Sequence, residues 1–169
     1  MKKAHHIFTL LIVSVLFISC ENSTTIKKPE DVGKHAMTIL KKMDKLSKEE
    51  YIKALFTLED VKAFGKENAD KISERGLKEI EDLTPEKYNA NMERTFNKLK
   101  ESADKYGIVW KDITYEDYTF EEREQDNIKG TRGTLSFKHD DKPYTIRLSA
   151  LIMKDKSYKL IGMSGFREN

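Results

Sequence analysis

Cys20 is the only cysteine among 169 residues, and it stands where an apolar run gives way to polar sequence. A thiol can attack a carbonyl, ligate a metal or pair with a second thiol, but with no partner in the chain an intramolecular disulfide is impossible. Carboxylates are the other candidates. Asp112, Glu116, Asp117, Glu121, Glu122, Glu124 and Asp126 crowd one stretch against only Lys111 and Arg123. Two such groups suitably placed can run hydrolysis or proton transfer. The plainer reading is a solvated hairpin edge, with Lys129 and Arg132 neutralising it across the strands at about 0.2–1 kcal/mol per pair. The D-x-[DN]-x-[DN]-G spacing of a calcium loop is missing.

Beyond residues 1–19, the histidines are His35 and His139, far apart and in no H-x-H or H-E-x-x-H string, which argues against a zinc site. No G-x-S-x-G, G-x-x-x-x-G-K-[ST] or G-x-G-x-x-G string occurs. Lys129-Gly130-Thr131-Arg132-Gly133 is basic and glycine-bearing but lies in a strand pattern, where glycine marks a bulge or a close backbone approach rather than a phosphate cradle. The expectation is therefore no catalytic residue, no metal and no cofactor. Without residues 1–19 the chain holds 29 basic and 29 acidic side chains, so the excess positive charge that a nucleic-acid partner demands is lacking.

The residues around Cys20 define its chemistry. Lys2 and Lys3 are followed by the apolar stretch Ile7 to Ile18, broken only by Thr9 and Ser14, and then by Ser19. Spanning a bilayer takes about 20 residues, so this shorter run reads as a removable export signal over residues 1–19. Phe17-Ile18-Ser19-Cys20 resembles the lipobox of bacterial lipoproteins, with Phe17 where Leu is commoner. The resemblance implies that Cys20 becomes the first mature residue, carries a diacylglyceryl thioether and an acylated N-terminus, and holds the protein on a membrane. Family likeness favours the outer membrane of a Gram-negative cell over the inner one. Two or more acyl chains give lasting attachment, at roughly 0.8 kcal/mol per buried methylene. Residues 20–28 then form a lipidated tether, and residues 29–169 a single domain, with no internal repeat or second linker.

Helical signals fill residues 29–106. Val32, Ala36, Ile39, Leu40, Met43 and Leu46 recur at helical steps after Pro29. Ser47 to Glu50 is a capping box, Thr57 to Asp60 repeats the start signal, and Gly65 and Gly76 are expected to break Val61–Leu83 into two pieces. Thr84-Pro85 opens the longest helix, striped by Tyr88, Met92, Phe96, Leu99, Ala103 and Tyr106 and stopped by Gly107. It is the helix expected to lie on the sheet. From Ile108 the period becomes two. Strands are expected at Ile108–Arg123, Ile128–Lys138, Tyr144–Met153 and Ser157–Phe166, with turns at 125–127, 140–141 and 154–156. Leu148 should be buried and Arg147 exposed. Short connections require antiparallel neighbours, so the class is α+β, with N-terminal helices followed by a four-stranded antiparallel meander wrapped on a long helix.

The segment Pro85 to Gly107, followed by Tyr144-Thr-Ile-Arg-Leu-Ser-Ala150, a charged turn and Tyr158-Lys-Leu-Ile-Gly162, resembles domains of the cystatin-like and nuclear transport factor 2-like kind. That resemblance implies a curved sheet whose concave side can hold a pocket, with Trp110 and Tyr144 as ligand-binding walls. Two functions follow. One is a non-enzymatic envelope lipoprotein that binds an envelope protein or peptide through the sheet edge and acidic hairpin. The other is a small-molecule binder or minor enzyme using the concave pocket. Seven lysines in residues 27–48 against Glu30, Asp31 and Asp44 further suggest that the first helix lies toward the bilayer and the acidic hairpin away from it.

Overall fold

The computed structural model describes residues 25–125 and 128–168, so Cys20, the expected export signal, the expected tether up to residue 24 and residues 126–127 of the expected turn lie outside the described residues. Five α-helices precede four strands: α1 (Asp31–Leu40), α2 (Lys48–Lys53), α3 (Leu58–Glu67), α4 (Glu74–Glu81), α5 (Pro85–Tyr106), then β1 (Thr114–Gln125), β2 (Ile128–His139), β3 (Lys142–Ile152) and β4 (Tyr158–Glu168). The sheet is antiparallel in the order β1-β2-β3-β4, the α+β meander expected. This topology is compatible with the cystatin-like likeness.

Local chemistry sets the boundaries. Ser47 and Thr57 both form capping boxes, accepting from the N–H of Glu50 and Asp60 while those carboxylates accept in return. Thr84 caps α5 with Pro85 behind it, and Gly107 ends it at φ +66°. Asp140 and Asp141 turn the β2–β3 hairpin with positive φ at both positions, as a two-residue primed turn requires.

One face of the sheet is apolar. Leu135, Phe137, Tyr144, Ile146, Leu148 and Leu160 are all essentially inaccessible. Covering is shared between two helices. Helix α1 crosses the face, touching β1, β3 and β4, while α5 packs along β4. Position Gly33 explains the close approach of α1: a Cβ there would lie 2.4 Å from Cβ of Tyr118. Leu99 reaches the same core from α5.

Several sequence expectations change. Gly65 and Gly76 lie inside α3 and α4, and the break falls at residues 68–73, where Asn68 turns its amide back onto the carbonyl of Phe64. Gly65 serves packing instead, since a Cβ there would come 2.9 Å from Ile80 of α4. The first helix stops at Leu40 rather than running through Leu46. The first strand begins only at Thr114, because Trp110–Asp112 forms a single 3-10 turn. Gly130 and Gly133 mark close backbone approaches: added Cβ atoms would lie 2.5 Å from the carbonyl oxygens of Ala150 and Thr119.

The folded body also starts earlier than residue 29. Ile26 is buried, and its carbonyl accepts from the N–H of Tyr158 at 2.8 Å, forming an antiparallel bridge to β4. The pairing Gln125↔Ile128 lies at the same end of the sheet as Ile152↔Tyr158. The chain therefore enters at the end that carries the acidic hairpin. That placement does not favour an acidic hairpin held away from the N-terminal segment.

Candidate functional site

Trp110 and Tyr144 are brought together, but as core. They are 2% and 1% exposed, and Phe137 lies between them with ring centroids at 6.5 and 5.8 Å. Phe166 packs on both, at 5.8 and 5.5 Å, and Tyr106 closes the cluster. Aromatic pairs at such separations contribute about 0.5–1.5 kcal/mol each beyond area burial, and their filling of the space leaves these two residues on neither of the recesses described below. His139 is likewise a structural residue: its Nε2 accepts from the N–H of Val109 at 3.2 Å, tying the end of β2 to the segment before the 3-10 turn.

The larger recess, about 890 Å³, is an open groove between α1, α2 and the start of β4. Ile26, Ile39, Leu55 and Leu160 form its floor, and Lys27, Lys34, Lys42 and Lys53 stand on its walls. Half-buried His35 and exposed Thr38 line it from α1 at helical spacing, a signal present in the sequence but indistinguishable there from an ordinary solvated face. Burial holds the imidazole of His35 below its usual range, although a hydrogen bond with the Ala54 backbone works against this. The acids on the walls are engaged locally: Asp31 pairs with Lys34 at 3.7 Å, Glu50 accepts from Ser47 N–H at 2.8 Å, and Asp155 accepts from Ser157 N–H at 3.0 Å. Burial raises the Tyr158 hydroxyl, with Glu122 and Glu30 adding to the effect, so acidic charge reaches one lip of this groove.

The second feature is the outer edge of β1. Among the described residues no backbone hydrogen bond joins that edge to anything but β2, whereas β4 is tied to Ile26 and, through the Leu160 carbonyl, to the N–H of Phe56. Of the acids on β1, Glu116 pairs with Lys138 at 2.6 Å and Glu124 with Lys129 at 3.7 Å. Arg132 stands opposite Glu121 in register, yet Glu121 pairs with Arg123 instead. Asp117 and Glu122 form no ion pair among the described residues. Cross-strand neutralisation is thus real for Lys129 and not for Arg132.

No described helix is long and apolar enough to cross a membrane. No family model, curated protein or solved structure matches this chain.

Proposed function

We propose that the chain is a cell-envelope lipoprotein, anchored to the outer membrane by lipid on Cys20, whose domain acts without catalysis by binding an extended segment of another envelope protein or peptide. Support for the anchor is the Phe17-Ile18-Ser19-Cys20 string behind its apolar run. The observation that carries the binding role is the unpaired edge of β1, 12 residues long in a sheet whose other edge is tied down. An open edge is a template for strand addition. Its charge selects the partner. A second copy pairing antiparallel about Thr119 would set Glu116 against Glu122 and Asp117 against Glu121, and like charges directly opposite are destabilising, so a basic strand is the fitting occupant.

Two measurements test this. Replacing Cys20 by Ala should abolish incorporation of a labelled fatty acid and release the protein from the membrane fraction; persistent attachment sinks the anchor. A photo-crosslinking residue at Thr119 on the open edge should capture a partner whose yield falls when Glu121 and Glu122 are changed to Lys. Capture that is indifferent to those reversals argues against the edge. A second reading, small-molecule binding, rests on the α1–α2–β4 groove, whose volume of about 890 Å³ lies in the range of ligand sites, about 300–1,000 Å³.

A further inference from the structure

A smaller recess of about 510 Å³ opens where α5 passes the edge of β4. Arg94 and Lys98, four residues apart and hence on one face of α5, line it together with Arg147, which comes from β3 and stands opposite Ser164. Glu101 is the one acid on the lining. None of these four charges forms an ion pair among the described residues. Arg94 gives one N–H to Asn91 Oδ1 at 3.3 Å, which leaves most of its donors unused.

The backbone is shaped around Arg147. Gly165 has φ +69°, and β4 gains an extra residue there relative to β3, between the pairs Thr145↔Arg167 and Arg147↔Ser164. A Cβ at Gly165 would lie 2.8 Å from both Nε and Nη2 of Arg147, so the guanidinium rests on a bulge that only glycine leaves open. Three cations drawn from two elements line this recess with one acid, an excess of positive charge that favours an anion among them. A guanidinium fork matches the oxygens of a tetrahedral oxyanion, and two further cations hold its charge.

We propose that this recess binds a phosphate- or sulfate-type oxyanion borne by a soluble ligand, with Arg147 as the forked donor and Arg94 and Lys98 as flanking cations. The site itself is independent of the envelope reading; only the choice of source rests on it. Ser164 stands six residues along β4 from Tyr158, where Ile26 joins the sheet, which places the recess about 20 Å from the point where the N-terminal segment enters the fold and, on the envelope reading, favours a soluble anion over a lipid headgroup.

The test is a titration of the full chain in zwitterionic micelles with inorganic phosphate, followed by the amide resonances of Ser164 and Gly165, with sodium chloride at matched ionic strength as the control. Saturable shifts with phosphate and none with chloride are expected. Lys98→Gln and Arg147→Gln should each weaken binding about tenfold or more, Arg147→Lys should retain part of it, and Glu101→Gln should tighten it. Those side chains are at the surface, and the rest of the amide spectrum reports whether each variant is folded. Shifts that never saturate, or that survive in the Lys98→Gln, Arg147→Gln double variant, overturn the site. Shifts caused by phosphatidylglycerol vesicles but not by phosphate overturn the soluble source. A Glu101→Gln variant that binds no tighter overturns the electrostatic account.

Discussion

Asp60 joins its helix start to Lys159, 99 positions further along the chain. Its carboxylate accepts from Thr57 N–H at 2.9 Å to cap α3 and meets Lys159 Nζ of β4 at 3.1 Å. Burial pushes this carboxyl up, but the bonds from Thr57 and Lys159 outweigh it and hold the pKa below the ordinary 3.8. A depressed pKa means that the unfolded chain takes up the proton first as pH falls. The stabilisation is therefore complete above about pH 4 and is lost on descent through the lowered folded value. Urea unfolding of Asp60→Asn against the parent should show a stability gap at neutral pH that closes in acid, whereas a pH-independent gap would mean the cap acts through shape alone. Leu148 and Arg147 make a sharper pair. Leu148→Ala should cost about 2–5 kcal/mol because the core cannot collapse into the space, while Arg147→Ala, exposed on the other face, should stay within about 0.5 kcal/mol in thermal melts.

Glycines show how elements are fitted to each other rather than ended. Gly33 brings α1 onto β1 and Gly65 brings α3 onto α4, both inside helices where propensity alone would favour Ala. Gly33→Val drives a branched side chain into Tyr118 and should destabilise by at least about 1–3 kcal/mol. Gly162 of β4 has nothing within 4 Å of an added Cβ, so Gly162→Ala should be neutral or gain about 0.5–1 kcal/mol. Denaturant midpoints read both, and equal effects at the two positions would contradict the docking of α1 through Gly33. The same contact shows why the sheet needs two helices. Helix α5 covers β4, and β1 has its own cover only because α1 can lie against Tyr118.

Across the whole molecule, the folded body is anchored at its beginning by Ile26. Its side chain joins the main core from a segment that composition alone marks as a polar tether. Ile26→Ala should cost about 2–5 kcal/mol, measured by chemical denaturation; a negligible loss would return that segment to the tether. If Cys20 carries lipid, only residues 21–25 then separate it from the core, and the domain sits at most about 20 Å from its anchor point. The acidic hairpin shares that end of the sheet. Its placement follows from strand pairing, since β1 must end where β4 begins in a four-stranded meander.

What could be read from the residues alone was local. The capping boxes at Ser47 and Thr57, Pro85 at a helix start, left-handed Gly107 and the Asp140-Asp141 turn all rest on interactions within a few positions, and the alternation through Leu148 rests on the two-residue period of a strand. The helices-then-meander order followed from these signals. What the tertiary structure decided was every question of who meets whom. Trp110 and Tyr144 look equally suited to a pocket wall or a core, and only the arrival of Phe137 and Phe166 beside them settles their burial. Gly33, Gly65 and Gly165 carry no local sign that they serve a helix, a neighbouring helix or an arginine from another strand. Arg94 and Lys98 are an unremarked exposed pair until β3 brings Arg147 to them. Local hydrogen bonding and side-chain periodicity are written into adjacent residues, whereas steric fit and the sum of charges in a recess depend on segments that the chain brings together only by folding.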